Sequence, residues 1–470
     1  MMIPDQSPFR SAVQGVGRRA VLRGAVIGAL AAAPVPFARQ LAGGSAAGQA
    51  TQAASSPAAA AAGCTDLPLV GGAEFPIGLY WPPHPFATTV ERYAQMREAG
   101  FGFLITGNYV DDSAIISHAL AIAEQVGLKV LVASDPDVQN FAQRFTISDD
   151  RSVPMSITTA DARNLATAAL NRYRGFESFA GFSLGDEPSR GRLPALGKAF
   201  AVAREVAPRS TPYSNMVPGS DTSYRDFVRE FVDNLHPPML SFDRYPFLTS
   251  GEDQQYFQNW AIIRSEGLRA NIPTWTFVQS VEYNNHRFPT EAELRWQINT
   301  SLAYGCKGIQ YFTYWQPDPA RGEGFGRALT TADGTLTPLY AAAKTINTTW
   351  LRQVGAELKP LVSELAVHAN ETPPAGATGF TPGTYLSGTS GSAAVLGLFH
   401  PTDAARTRWL LIANRQYSTS ATTTVTLNQA TVTKVSVFDP ATSAYVAQAD
   451  RTRIVANLAP GAAALYRLDA

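Results

Sequence analysis

A chain of 470 residues, 45% hydrophobic and 16% charged, can bury a large core and is too long for one small domain. Its 38 Lys and Arg balance 38 Asp and Glu, so no basic face speaks for nucleic acid and no such partner is expected. Six scattered His and two Cys offer no metal-ligand spacing, and no cofactor or metal is expected.

The N-terminus reads as an address. Arg18 and Arg19 precede a short apolar run over 25–33, an arrangement that resembles a twin-arginine export signal ending near residue 40. The run is too short to cross a bilayer as a helix, so no stable membrane insertion is expected after its removal. Residues 41–66 are Ala, Gly, Ser and Gln, a low-complexity linker. The expected destination is extracellular or in the cell envelope.

From 67 to 357 short apolar runs alternate with helical stretches, the pattern of repeated βα units. Strands are predicted over 75–81, 102–106, 129–134, 179–184, 212–216, 239–242, 274–278 and 308–314. Helices are predicted over 88–99, 113–126, which stops at Gly127, and 160–173. Another starts after Thr290, which forms a capping box with Glu293. Eight such units match a (β/α)8 TIM barrel. An open doubly wound sheet is the alternative, disfavoured because no Gly-rich phosphate loop follows the first strand. From 358 to 470 helical periodicity stops. Runs at 409–413, 422–427, 434–438 and 463–468 predict a small β-sandwich, with Pro460 and Gly461 turning into the last strand.

In such a barrel the C-terminal strand ends face the active site, which turns the strand list into a site list. Strand four ends in Gly185-Asp186-Glu187-Pro188, where two carboxylates close an apolar run. Strand six ends in Asp243-Arg244-Tyr245. Strand seven carries Trp275 and ends in Gln279, with Glu282 and His286 beyond; strand eight ends in Tyr314-Trp315. Tyr80 and Trp81 end strand one, and Asn108 and Tyr109 follow strand two. Flat aromatic faces with carboxylates and amides suit a sugar. Glycosidic cleavage needs one protonated and one ionised carboxyl group. Glu187, with Asp186 beside it, is the expected acid. Asp243 is the first choice of partner and Glu282 the second. Tyr80, Trp81, Asn108, Tyr109, Arg244, Tyr245, Trp275, Gln279, Tyr314 and Trp315 are the expected carbohydrate contacts. Cys64 precedes strand one and Cys306 precedes strand eight, neighbours in a closed barrel, so a disulfide is expected between them.

The segment from Phe182 to Pro188 resembles the strand-four signature of clan A glycoside hydrolases, usually Asn-Glu-Pro. With Asp243-Arg-Tyr-Pro246, Leu294-Arg-Trp-Gln297 and the run from Tyr304 to Trp315, the chain resembles bacterial β-galactosidase-like barrels that carry a C-terminal β-domain. The resemblance implies that Glu187 is the acid/base. It also exposes a departure: the clan places a nucleophilic Glu at the end of strand seven, where this chain has Gln279. A carbohydrate-binding barrel that lost its nucleophile is therefore the rival reading. An esterase or amidase barrel finds no Gly-x-Ser-x-Gly elbow in its support.

Overall fold

The computed structural model describes residues 66–107 and 111–470. The signal, nearly all of the linker, Cys64, Asn108 and Tyr109 lie outside the described residues. No described helix is long and apolar enough to cross a membrane.

Eight parallel strands close into a barrel. They are β1 (Ile77–Tyr80), β2 (Phe103–Ile105), β3 (Lys129–Val132), β4 (Phe179–Asp186), β5 (Thr211–Met216), β6 (Leu240–Asp243), β7 (Thr274–Gln279) and β8 (Cys306–Phe312). Each pairs with its neighbours in sequence, and β1 pairs with β8 to close the ring. The helices between them are α1 (Val90–Glu98), α2 (Ser113–Val126), α3 (Thr159–Tyr173), α4 (Leu193–Val206), α5 (Thr222–Leu235), α6 (Tyr256–Ala270) and α7 (Glu291–Ala303). After β8 comes α8 (Pro338–Ile346), continued in helical turns to Leu358. Local chemistry starts and stops them. Thr89 caps α1 through the Arg92 N–H, and Gly127 ends α2 at φ 73°, where a side chain would be strained. Thr290 and Glu293 form the capping box of α7.

Two hydrophobic layers hold the barrel. Phe103, Ile105, Leu131, Tyr213, Trp275, Phe277 and Phe312 belong to the cluster inside it. Leu79, Leu104, Val130, Phe182, Leu184, Phe242, Val278 and Tyr311 pack outward against the helices. Strands buried on both faces read as continuous apolar runs, and these do.

The β-domain begins at Val362. Its strands are β9 (Val362–Ala369), β10 (Leu386–Gly391), β11 (Ala394–His400), β12 (Arg408–Asn414), β13 (Ala421–Leu427), β14 (Lys434–Asp439), β15 (Ala444–Ala447), β16 (Arg453–Leu458) and β17 (Ala463–Asp469). A six-stranded antiparallel sheet in the order β9-β11-β12-β17-β14-β15 packs on a three-stranded one, β10-β13-β16. Leu396, Ile412, Val425, Ile454 and Leu468 are part of the core between them.

Helix α7 serves both domains. Ten of its 13 residues are buried, because the barrel covers one side and the β-domain the other. Trp296 Nε1 donates to the Arg415 carbonyl at 2.8 Å, and Asn299 Nδ2 to that of Gly461 at 2.8 Å. Gly461 has φ 65°, and a β-carbon there would lie 2.2 Å from the Ala292 carbonyl oxygen, so the turn needs glycine twice over.

Candidate active site

Strand register decides which side chains reach the mouth. Tyr213 on β5 belongs to the interior cluster. Two residues on, Asn215 takes the same face, and Asp186 is its lateral partner on β4. Asn215 in turn pairs with Ser241 on β6, and Asp243 is the next residue on that face. Asp186, Asn215 and Asp243 therefore line one side of the C-terminal mouth. A bulge between Ser183 and Gly185 brings Asp186 to this face, since Leu184 points outward.

Beneath the acids lies a buried polar floor. Tyr213 Oη is 2.8 Å from Ser241 Oγ, and Ser241 Oγ donates to Asn215 Oδ1 at 2.9 Å. Gln310 Nε2 on β8 donates to both hydroxyls, at 3.1 Å and 3.0 Å. Every member has a partner, as buried polar groups must. Burial pushes the Tyr213 phenol well above its ordinary range. Ser241 and Gln310 pull it back, and the negative charges of Asp186 and Asp243 add to the rise. Tyr224, at the start of α5, is raised by burial first, then by Asp243; Arg244 opposes and Glu187 adds. Asp186 and Asp243 thus act on one phenol, and Asp243 and Glu187 on another.

Asp243 is only 4% exposed and accepts the Tyr245 hydroxyl at 3.0 Å. Glu187 is half-buried; its N–H donates to the Asn215 carbonyl at 2.9 Å. Its φ is 46°, and Trp81 after β1 and Ser134 after β3 sit at 62° and 64°. Left-handed backbone costs a non-glycine residue about 1–2 kcal/mol. Three of the residues that bear it follow strands at the C-terminal rim.

The rest of the mouth is aromatic. Tyr245 stacks on Phe312 with centroids 5.2 Å apart, and Tyr80 stacks on the same ring at 6.1 Å. Tyr283 stacks between His286 at 4.6 Å and Phe325 at 5.4 Å. Burial lowers the His286 imidazole, so the neutral ring is favoured. Tyr80 and Tyr283 remain partly open and offer faces for stacking.

Several expected contacts are elsewhere. Gln279 is fully buried: Oε1 accepts the Phe247 N–H at 3.0 Å, and Nε2 donates to the Phe247 and Arg287 carbonyls at 3.1 Å and 2.7 Å. It pins the loops after β6 and β7 together and has no donor left for a sugar. Trp275 fills the barrel interior beside Phe103, at the start of β7 rather than its end. Tyr314 lies outside the barrel against Phe101 and Tyr340, and Trp315 is covered by His84 and Arg92. Trp81 is buried against Phe325. Arg244 spends its charge on Asp253 at 2.5 Å. Glu282 is 43% exposed and pairs with Arg327 at 3.3 Å, while Val281 beside it packs into the mouth cluster. Cys306 is a buried thiol 3.1 Å from the Gly308 carbonyl; its expected partner Cys64 lies outside the described residues.

Sequence reading missed Tyr213, Asn215, Ser241, Gln310 and Phe312. The available signal was period two: Tyr213 and Asn215, then Ser241 and Asp243, are alternate residues of two neighbouring strands.

No family model matches the chain, and no curated protein matches it by sequence. Solved structures do. One described as a glycoside hydrolase aligns with a TM-score of 0.51 at 10% identity, covering 84% of this chain and 92% of that one. The β-glucuronidase from Ruminococcus gnavus aligns at 12% identity with a TM-score of 0.38 over 58% of this chain. This chain spans 48% of that enzyme's length. At these identities the likeness concerns the fold alone. The fold is a (β/α)8 barrel with a C-terminal β-domain, an architecture shared with the solved structure described as a glycoside hydrolase.

Proposed function

We propose that the protein is an exported glycoside hydrolase acting on neutral oligo- or polysaccharides, with Glu187 as acid and Asp243 as its ionised partner. The observation that carries this reading is the placement of Asp186, Glu187 and Asp243 at the C-terminal ends of β4 and β6, above a fully bonded polar floor and facing aromatic rings. Asp243 is preferred over Glu282 because it is buried on the inward face of its strand, whereas Glu282 is exposed and paired with Arg327.

Charge supports a neutral sugar. Three carboxylates gather on one side of the mouth, and Arg244 is already matched by Asp253. A uronic acid would meet like charge there. Tyr80 or Tyr283 would stack on the sugar, and Asp186 would bond a hydroxyl. Strands β4 and β6 are two spacings apart, about 10 Å between backbones. Whether the anomeric carbon is inverted or retained follows from the separation of the two carboxyl groups, which the product's anomer reports. The locked amide of Gln279 favours one rival, a barrel that binds sugar without cleaving it.

The test is hydrolysis of a panel of neutral aryl glycosides by the wild type, Glu187→Gln and Asp243→Asn, with the first product's anomer read by NMR. Wild-type turnover abolished by either substitution supports the reading. Sugar binding without turnover in the wild type favours the rival, and turnover unaffected by both substitutions removes these residues from the chemistry.

A further inference from the structure

The N-terminal face of the barrel, opposite the mouth, holds a cavity of about 580 Å³ between the starts of β7 and β8 and the segment entering the β-domain. This volume is in the range that accepts a small organic molecule. Three cationic residues line it: Arg264 from α6, Lys307 from β8 and Lys359 after α8. None is ion-paired among the described residues. Each is held by neutral groups instead. Arg264 donates to Ser363 Oγ and to the Ser363 carbonyl, both at 2.9 Å. Lys307 Nζ donates to the carbonyls of Leu358 and Leu361, the latter at 2.6 Å. Lys359 Nζ donates to the carbonyls of Gly71, Gly72 and Glu74, at 3.0, 2.9 and 2.7 Å.

Backbone carbonyls orient these cations but do not neutralise them. Arg264 and Lys359 carry like charge around one cavity, and partial burial strengthens their repulsion. Burial pushes the Lys307 ammonium down to about 7, and the neighbouring Cys306 opposes this weakly. Burial also lowers Arg264, while Lys359, lowered by burial, feels the exposed carboxylate of Glu74. The carboxylate among the lining residues, Glu357, accepts the Tyr445 hydroxyl at 2.7 Å. Arg264 uses Nε and Nη2 on Ser363, and it lines the cavity beside Lys307 and Lys359. The rest of the wall is largely apolar, including Leu268, Ile272, Trp275 and Leu361.

We infer that this cavity is a second binding site, for a small organic anion whose carboxylate or phosphate meets Arg264 and Lys307 while its apolar body lies against Leu268, Ile272 and Trp275. It lies at the opposite face from the carboxylates of the mouth and does not depend on what they do.

Calorimetric titration of the full chain with phenyl phosphate, benzoate and inorganic phosphate, followed by thermal melting with each, tests this. The two aryl anions distinguish phosphate from carboxylate as the preferred head. The expected result is saturable binding of at least one aryl anion with a raised Tm, and inorganic phosphate weaker by about tenfold or more for lack of the apolar body. Arg264→Gln should weaken the aryl anion by about tenfold or more. Should that variant fold poorly, Leu268→Trp serves: Leu268 is exposed at the cavity, and the larger ring should block binding while hydrolysis at the mouth stays unchanged. No saturable binding of either aryl anion by the wild type at millimolar concentration would overturn the inference. So would binding that survives both substitutions.

Discussion

The ends of β4 and β7 occupy equivalent places in the barrel, yet the chain uses them in opposite ways. At β4 the strand runs on to Asp186, a bulge turns that residue inward, and Glu187 follows in left-handed backbone beside open space. At β7 the last residue is an amide with no exposure, and its three hydrogen bonds tie two loops together. Strain and exposure suit the chemistry proposed for the end of β4. Full satisfaction and burial mark a place kept for stability. The difference teaches that a position at a strand's C-terminal end is an opportunity rather than a role. The side chain's own bonds decide which use is made of it.

The largest test of this contrast is at β4. Glu187→Gln should cost about 10²- to 10⁴-fold in kcat on a cleaved glycoside, the usual worth of a positioned general acid, with little change in Tm. A large loss of Tm with normal turnover per folded molecule would make β4 as structural as β7. The converse substitution follows in size. Gln279→Glu puts a carboxylate against the carbonyls of Phe247 and Arg287 in a site without water. It should destabilise by about 3 kcal/mol or more in urea unfolding and should not raise activity, although it supplies the glutamate that the sequence resemblance would lead one to expect there. A gain in turnover would break the comparison.

A smaller effect concerns the loop that Gln279 pins. Burial works to raise the Glu293 carboxyl, but hydrogen bonds from Arg287 and Thr290 outweigh it and hold Glu293 below its ordinary value. Such a group adds stability above its unfolded pKa, near 4.5, and loses it as pH falls through the lower folded value. Glu293→Gln should therefore be less stable than the wild type at neutral pH. The gap should close below about pH 4.5 when Tm is followed against pH. The least effect is expected at Glu282. Its pairing with Arg327 is exposed, and Glu282→Gln should leave turnover within about twofold and stability within about 0.5 kcal/mol. A loss comparable to that of Asp243→Asn would transfer the partner's role to the β7 loop.

Strand positions were legible from sequence because each barrel strand is a short apolar run stopped by turn residues. The helix stop at Gly127 and the capping box at Thr290 were legible because each is a local hydrogen-bond pattern. The acids at Asp186, Glu187 and Asp243 stood out as charge at the end of apolar runs. What sequence concealed was the direction of the side chains. A strand buried on both faces has no polar alternation to mark its inner side. Tyr314, Trp315 and Trp275 therefore looked like rim aromatics, although the first two pack outside the barrel and the third fills its interior. The strand predicted to 314 ends at Phe312, and that ring, not Tyr314, underlies the mouth. The bulge that turns Asp186 inward has no signature beyond Gly185. Gln279 was misread because its partners are backbone groups of Phe247 and Arg287, which no side-chain pattern announces.

Helix α7 has a consequence for how the molecule comes apart. Its Trp296 and Asn299 are bonded to the β-domain, and Gln297 holds the backbone of Gln279 at 2.7 Å and 3.1 Å. Melting the β-domain would strip cover from this helix, and the barrel would lose the brace behind its seventh strand. Heating should therefore produce one calorimetric transition in which barrel and β-domain unfold as a single cooperative unit. Chain shortening at Leu358 should yield aggregate rather than a soluble barrel, because one side of a helix built to be covered on both would face water.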